Sequence, residues 1–354
     1  MDSITHQWLA PLLIADKKTL WVVDEHFSEL GMTVNGALQA ITNRFDTAEA
    51  LKANVAAHFC DFDFSIFDES SFEQIVYRIS KEKPIAHHVI NQSARLLVDG
   101  GELHLLGAKG EGIKGYIDRA AKLFGASKDY EKLSGDIWAG CIKFSRNHLD
   151  TSKALDDKQY SILREAISHR DTQFISKPGV FGWNKIDAGS AYLVENFTLF
   201  SADLKNFKQA LDLGCGYGFL SCQLNSHFEH IVATDNNAAA LSACAANFST
   251  MNINGVVVPS DAGSELETNR FDLILCNPPF HSGFSTNSNL THKFVQNASR
   301  LLSDQGVACF VTNLHIPTER IASQWFSDVE FVAQNAHFKL VRLTVPKKGE
   351  NKPL

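Results

Sequence analysis

The sequence predicts an α/β protein made of two tandem domains, each a mostly parallel sheet with helices on both faces. Three observations predict it. The chain has 354 residues, which corresponds to about two domains at roughly 150 residues each. Both halves alternate short β-type runs with helical segments. Finally, Ile90-Asn-Gln-Ser-Ala-Arg-Leu-Leu-Val-Asp-Gly-Gly101 aligns without a gap on Val295-Gln-Asn-Ala-Ser-Arg-Leu-Leu-Ser-Asp-Gln-Gly306. Arg95, Leu96, Leu97, Asp99 and Gly101 meet Arg300, Leu301, Leu302, Asp304 and Gly306, so one plan is used twice.

In the second half, apolar β-type runs predict strands at Ala210–Leu213, Ile231–Thr234, Val256–Val258, Phe271–Cys276, Val307–Val311, Val329–Ala333 and Phe338–Val345. Helices are expected at Ala188–Leu199, Phe219–His227, Ala238–Phe248 and Leu290–Leu302. The short link Gln334-Asn335-Ala336 predicts that the last two of these seven strands form a closing antiparallel hairpin. The first half repeats the plan more faintly, with strands expected at Leu20–Val23, Asp63–Phe67, Gln74–Ile79 and Glu102–Leu106. The expected domains are 1–160 and 170–354, with the charged and polar run 150–177 as the connector between them.

With 44% hydrophobic and 21% charged residues, the composition is that of a globular chain and excludes disordered or fibrous classes. No apolar run approaches the roughly 18 residues of a membrane span, and no basic stretch precedes an apolar one at the start, so no membrane or secretory signal is expected. Seven scattered cysteines, none in a C-x-x-C pair, read as reduced core thiols of a cytoplasmic protein. Net charge is -7, from 33 basic and 40 acidic residues. From Lys177 onward 13 basic residues meet 15 acidic ones, a balance of -2 against -5 in the first half, which favours the second half for an anionic partner. Its basic end, with Lys339, Arg342, Lys347, Lys348 and Lys352, reads first as a solvated tail.

The strongest local signal is Ala210-Leu-Asp-Leu-Gly-Cys-Gly-Tyr-Gly-Phe-Leu220, a strand running into Gly214, Gly216 and Gly218 and then a helix. Such a Rossmann-like turn lets backbone approach a ligand closely, though dinucleotide-binding proteins share it. Asp212 precedes the first glycine by two residues, and Asp235 ends the next strand about 20 residues on, where a carboxylate can accept both hydroxyls of a ribose. Asp261, after the third strand, can accept from an adenine amino group. Reading Asp235 and Asp261 as ordinary helix caps accounts for each singly; a nucleoside-bearing cofactor accounts for the set.

Directly after the strand Phe271–Cys276 comes Asn277-Pro-Pro-Phe280. At the carboxyl end of a parallel strand it opens on the same crevice as the glycine loop. Two prolines remove two N–H donors, so the turn presents acceptors, the Asn277 side-chain oxygen and the Pro278 carbonyl. That pair suits a planar exocyclic amine, whose nitrogen it holds toward an electrophile. Phe280 can stack on the ring, a contact worth roughly 1–3 kcal/mol per base.

Asp-Leu-Gly-Cys-Gly-Tyr-Gly at 212–218 with Asn-Pro-Pro-Phe at 277–280 resembles the class I S-adenosylmethionine-dependent methyltransferases that modify exocyclic amines. More narrowly, Lys177-Pro-Gly-Val-Phe181, Asp187-x-Gly-Ser190, Asn277-Pro-Pro-Phe-His281, Phe338-Lys339 and Tyr77-Arg-Ile-Ser-Lys-Glu-Lys-Pro84 are similar to the bacterial ribosomal RNA guanine-N2 methyltransferases. The likeness is greatest to the small-subunit type, with the large-subunit type a near relative. Gly182 and Ile186 depart from that pattern, which has Ser and Leu there. The resemblance implies two tandem Rossmann-like methyltransferase domains, of which the second keeps the cofactor site. The first, with Leu20-Trp-Val-Val-Asp-Glu-His26 in place of the glycine loop and Arg78-Ile-Ser-Lys81 in place of Asn-Pro-Pro-Phe, is implied to be a degenerate copy serving RNA docking or folding.

The reaction so implied is transfer of the S-adenosylmethionine methyl group to the N2 amine of a guanine in 16S rRNA of the small ribosomal subunit, by a monomer. Asn277, Pro278 and Phe280 are the expected catalytic residues. Phe181, Asp212, Gly214, Gly216, Gly218, Asp235, Asn236, Asp261 and Ala262 are the expected cofactor-binding set. Glutamine-N5 methylation of a protein uses the same turn, but usually with Tyr after the prolines and without a duplicated first half. A nicotinamide oxidoreductase shares only the glycine loop, and an RNA-binding protein with a vestigial pocket needs neither motif. No H-E-x-x-H or paired cysteines mark a metal, so His87-His88 read as core histidines, Cys215 as a packed residue and the 25 phenylalanines as mainly core.

Overall fold

The computed structural model describes residues 3–25, 27, 37–200, 207–279 and 284–347. It divides into two compact units, 1–162 and 163–354. The first unit contains α1 (Ser3–Leu13), β1 (Thr19–Val23), β2 (Leu38–Thr42), α2 (Phe45–Leu51), β3 (Ala56–Phe59) and β4 (Phe72–Arg78). It continues with α3 (Lys83–Leu96), β5 (Leu97–Ala108), α4 (Ile113–Phe124), β6 (Lys128–Ser134) and β7 (Ile137–Lys143). Its seven strands lie in the order β3-β2-β1-β4-β5-β7-β6.

The second unit opens with a two-stranded hairpin, β8 (Arg164–His169) and β9 (Thr172–Ser176). There follow α5 (Ala188–Glu195), β10 (Phe207–Leu213), α6 (Phe219–Gln223), β11 (Phe228–Asp235), α7 (Ala238–Thr250), β12 (Gly255–Pro259) and β13 (Phe271–Cys276). The unit ends with α8 (Phe284–Leu301), β14 (Leu302–Asn313), α9 (Thr318–Ala322), β15 (Phe326–Gln334) and β16 (Phe338–Pro346). The order β12-β11-β10-β13-β14-β16-β15 repeats that of the first unit, and β15 and β16 form the expected antiparallel hairpin. Central strands are apolar throughout because helices cover both faces; all five residues of β1 are buried.

The repeat seen in sequence is structural. In each copy the helix ends at the Arg-Leu step and the strand starts at the next Leu, at Leu96/Leu97 and at Leu301/Leu302. Arg95 donates to the carbonyls of Phe64 and Phe67, and Arg300 donates to those of Gly263 and Leu266 at 2.6 Å each. Gly101 and Gly306 are required by contact: a Cβ would lie 3.1 Å from the Glu73 carbonyl oxygen in one copy and 2.9 Å from that of Phe271 in the other.

Several expectations need correction. Asp63–Phe67 is no strand but a 3-10 turn at Phe64–Ile66, because the Asp63 carboxylate takes the Ser65 N–H at 3.0 Å and offers the backbone a local alternative. The strands β2, β3, β6 and β7 were not expected. β3 is alanine-rich and β6 is an exposed edge strand of charged residues, so neither carries the apolar β signature. The segment read as a connector contains the β8–β9 hairpin. Helices expected at Ala188–Leu199 and Phe219–His227 stop at Glu195 and Gln223, and 3-10 turns complete them.

Candidate functional site

The carboxyl ends of β12, β11, β10 and β13 lie side by side in the second unit and carry the residues singled out from sequence. β10 runs into Gly214, Gly216 and Gly218, at φ of 82°, 54° and 85°. All three conformations are left-handed, which glycine adopts without strain. At Gly218 space forbids a side chain as well, since a Cβ would stand 2.8 Å from Cys244 Sγ. At Gly216 a Cβ would meet nothing within 4 Å, so the loop backbone faces open room at the position where a ligand must approach.

Asp235 locks this loop to the next strand. Its Oδ2 accepts the Gly216 N–H and its Oδ1 the Asn237 N–H, each at 2.9 Å. Asn237, rather than Asp235, caps α7 by accepting the Ala239 N–H at 2.8 Å. The Asn237 amide also donates to the Gly179 carbonyl at 2.9 Å, which draws the Lys177-Pro-Gly-Val-Phe181 segment to the end of β11. Phe181 there is 55% exposed. Asn236 is half-buried beside Asp235.

Asp212 lies at the base of the loop, 1% exposed. Its Oδ2 accepts both the N–H and the hydroxyl of Ser221 in α6, at 3.1 and 2.5 Å. Its Oδ1 has no partner among the described residues. Burial, opposed by the Ser221 bonds and aided by Asp235, pushes the carboxyl up to about 6. Asp261 forms an ion pair with Lys293 of α8, and Ala262 beside it is buried with φ 53°.

Asn277, at the end of β13, is held from behind. Its amide nitrogen donates to Asp187 Oδ2 at 2.7 Å and to Ser190 Oγ at 2.8 Å. Asp187 is the cap of α5 and accepts the Ser190 N–H at 2.9 Å with the same oxygen. A carboxylate only accepts, so the Asn277 atom facing it must be nitrogen, and Oδ1 is left as the acceptor. Gly189 is needed between the two, because a Cβ would come within 3.1 Å of both Asp187 Oδ2 and the Phe338 ring. Pro278 is buried and Pro279 exposed. Phe280 lies outside the described residues.

Sequence reasoning quoted Asp187-x-Gly-Ser190 without a role for it, and missed two further residues. Lys293 pairs with Asp261. Asn247 of α7, fully buried, accepts the Ile175 N–H at 2.7 Å and donates to the carbonyls of Ile175 and Tyr217, tying β9 to the glycine loop. Only the Asp187 motif had a local signal, that of a helix cap; the others are single residues brought in by tertiary pairing. Cys215 is packed, and a hydrogen bond with the Cys244 thiol together with burial pushes its own thiol well up. His87 and His88 are buried core residues, bonded to the Asp156 carbonyl at 2.7 Å and Asp157 at 3.0 Å. The basic end is partly paired, Lys339 with Glu319 and Arg342 with Glu330; Lys348 and Lys352 lie outside the described residues. No helix among the described residues is long and apolar enough to cross a membrane.

Comparison with known proteins agrees with this geometry. The model of the methyltransferase small domain matches residues 171–342, and that of the methyltransferase small domain N-terminal region matches 15–133. Ribosomal RNA small subunit methyltransferase C of Hamiltonella defensa is 29% identical over 278 residues, 78% of each chain. The protein of that name from Shewanella loihica is 25% identical over 303 residues, 84% of each. Among solved structures, the T. thermophilus 16S rRNA N2 G1207 methyltransferase, in complex with AdoMet and guanosine, shares the fold with a TM-score of 0.79 at 20% identity, over 97% of this chain and 92% of that one.

Proposed function

We propose that this chain, which belongs to the methyltransferase small domain family, transfers a methyl group from S-adenosylmethionine to the exocyclic N2 amine of a guanine in 16S rRNA. One observation carries the reading of the chemistry. The Asn277 nitrogen is committed to Asp187 and Ser190, which leaves its oxygen as an acceptor at the strand end next to the glycine loop. An acceptor fixed in this way suits an N–H donor, as the amine of a guanine is. The names of the similar small-subunit methyltransferases support the RNA.

The residues present fit the cofactor. Asp212 Oδ1 is a buried acceptor without a donor, and Gly216 borders open room. Gly214, Gly216, Gly218, Asp235, Asn236, Asp261, Ala262 and Phe181 would hold the cofactor with Asp212. When bound, S-adenosylmethionine supplies an electrophilic methyl group on a sulfonium. Asn277 and Pro278 hold the amine nitrogen in place, and Phe280 stacks on the base. No strong base is required, because the amine loses its proton after the methyl has arrived.

We further read 170–354 as the catalytic domain and 1–160 as a copy without a cofactor site, serving RNA docking or folding. Support comes from the side chains that fill the corresponding positions, Trp21, Phe62 and the Arg78–Glu111 ion pair. The cytoplasm, with the small subunit as substrate and a monomer as the active form, completes the reading. All seven cysteines are free thiols, which fits a reducing compartment.

The test is transfer of radiolabelled methyl to small and large ribosomal subunits from cells lacking the gene, followed by nucleoside analysis. Label in N2-methylguanosine of the small subunit alone is the expected outcome. Label in the large subunit would move the substrate to 23S rRNA, and label on protein glutamine would overturn the RNA reading.

A further inference from the structure

We infer that the first unit carries a transition-metal site, suited to zinc, built from Glu102, His104 and Cys141. His104 and Cys141 stand opposite each other across antiparallel β5 and β7. Glu102 is two residues before His104 and so projects from the same face of the sheet. One donor atom from each lies within 4.8 Å of the others. Glu102 Oε2 is 3.4 Å from His104 Nε2, which is 4.0 Å from Cys141 Sγ. Tetrahedral zinc, with nitrogen and oxygen at about 2.0–2.1 Å and sulfur at about 2.3 Å, sets ligand-to-ligand edges of about 3.3–3.6 Å. The His104–Cys141 edge therefore needs to close by about half an ångström, and the Glu102–Cys141 edge, which lies within 4.8 Å, by about 1.2 Å at most.

The surroundings are those of a site. Asp129 of edge strand β6 pairs in register with Cys141, which places a second carboxylate beside the three ligands. Asp129, His104 and Cys141 line one cavity of about 500 Å³, roofed by Trp8 and Leu12 of α1. His104 is 8% exposed, and Trp8 packs edge-on to its ring at 6.1 Å. A thiol, an imidazole and carboxylates together select zinc over magnesium or calcium. Lys17 donates to Glu102 at 2.8 Å, with the lysine exposed at 42% and the glutamate half-buried at 30%, so this pair is screened by solvent and yields to a dication. Binding forms a zinc–sulfur bond as the Cys141 thiol proton leaves to solvent, with no change of oxidation state. None of these residues belongs to the site of the second unit. Their separation along the chain, from 102 to 141, matches no linear metal motif, and the sheet register alone joins them.

The experiment uses the full chain, freed of metal and titrated with zinc against a chromophoric chelator, with a parallel titration by cobalt. One equivalent should bind, and His104→Ala and Cys141→Ser should each weaken it about 100-fold or more. Lys17→Ala should leave affinity unchanged or tighten it, and S-adenosylmethionine affinity should be the same in all variants. Cobalt bound to the wild-type chain should show a thiolate charge-transfer band and the visible bands of four-coordinate metal, a readout independent of how the variants fold. Equal zinc affinity in Cys141→Ser, or a cobalt spectrum without the thiolate band, overturns the site. Either result leaves the methyl-transfer reading untouched, since that reading rests on the other unit.

Discussion

The two units place different chemistry on the same backbone positions. Thr19 pairs with Gln74 as Ala210 pairs with Leu273, so Trp21 stands where Asp212 does and Arg78 where Asn277 does. Through the neighbouring strands, Thr42 corresponds to Asp235 and Phe62 to Ala262. Local geometry is retained at each. Thr42 Oγ1 accepts the Arg44 N–H at 3.2 Å where Asp235 accepts that of Asn237 at 2.9 Å, and Phe62 and Ala262 share the left-handed backbone at φ 47° and 53°. What differs is the side chains at these positions. Trp21 and Phe62 are 1% exposed, Tyr160 closes over Asp61 with a 2.6 Å hydrogen bond, and Arg78 is pinned by Glu111. Arg95/Arg300 and Gly101/Gly306 are common to both copies, whereas the residues proposed to hold the cofactor are replaced in the first.

The largest effect should follow from removing what the first unit lacks altogether. Asn277→Ala should lower turnover by about 100–1,000-fold with S-adenosylmethionine affinity within about twofold, read by initial rates and by calorimetry. Wild-type turnover in this variant would erase the distinction between Asn277 and Arg78.

Asp212 should make the stability of the second unit depend on pH in a way that Trp21 cannot. Its carboxyl, about 6 when folded against an ordinary 3.8, gives stability fully present below pH 3.8 and lost as pH rises through about 6. The difference is on the order of 3 kcal/mol. Urea unfolding of wild type and Asp212→Asn should diverge across that window, with the variant flatter, and parallel profiles would remove the charge from the account.

Ala262→Phe installs the side chain of the first unit in the second. S-adenosylmethionine affinity should fall about 100-fold, as a lost base contact and overpacking each cost roughly 1–3 kcal/mol, while the circular dichroism spectrum stays that of the wild type. Retained affinity would mean that Phe62 does not plug the corresponding crevice.

The smallest and most symmetrical effect is expected from the shared arginines. Arg95→Ala and Arg300→Ala should each cost about 1–3 kcal/mol, because each removes the guanidinium that donates to the loop carbonyls, those of Phe67 and Leu266 among them. A cost confined to one variant would show that the two copies no longer rely on the same anchor.

Some of this was legible in sequence. Strands β1, β4, β5 and all seven of the second sheet follow from apolar runs that helices cover on both faces. The glycine loop and Asn277-Pro278-Pro279 follow from residues whose backbone limits are intrinsic. By contrast β3 and β6 are short or charged, and their strand state comes from a neighbouring strand. Among site residues, Asp235 is expected from sequence to meet a ribose, and the structure shows its carboxylate clamping Gly216.

By itself the sequence determined the duplicated α/β plan and the glycine and proline turns, because those depend on conformational limits acting within a few residues. Tertiary structure alone decided how side chains far apart in the chain meet: Asn277 with Asp187 and Ser190, Asp261 with Lys293, and His104 with Cys141. Those meetings are set by strand register and helix docking, and a one-residue shift in register would turn each side chain to the opposite face.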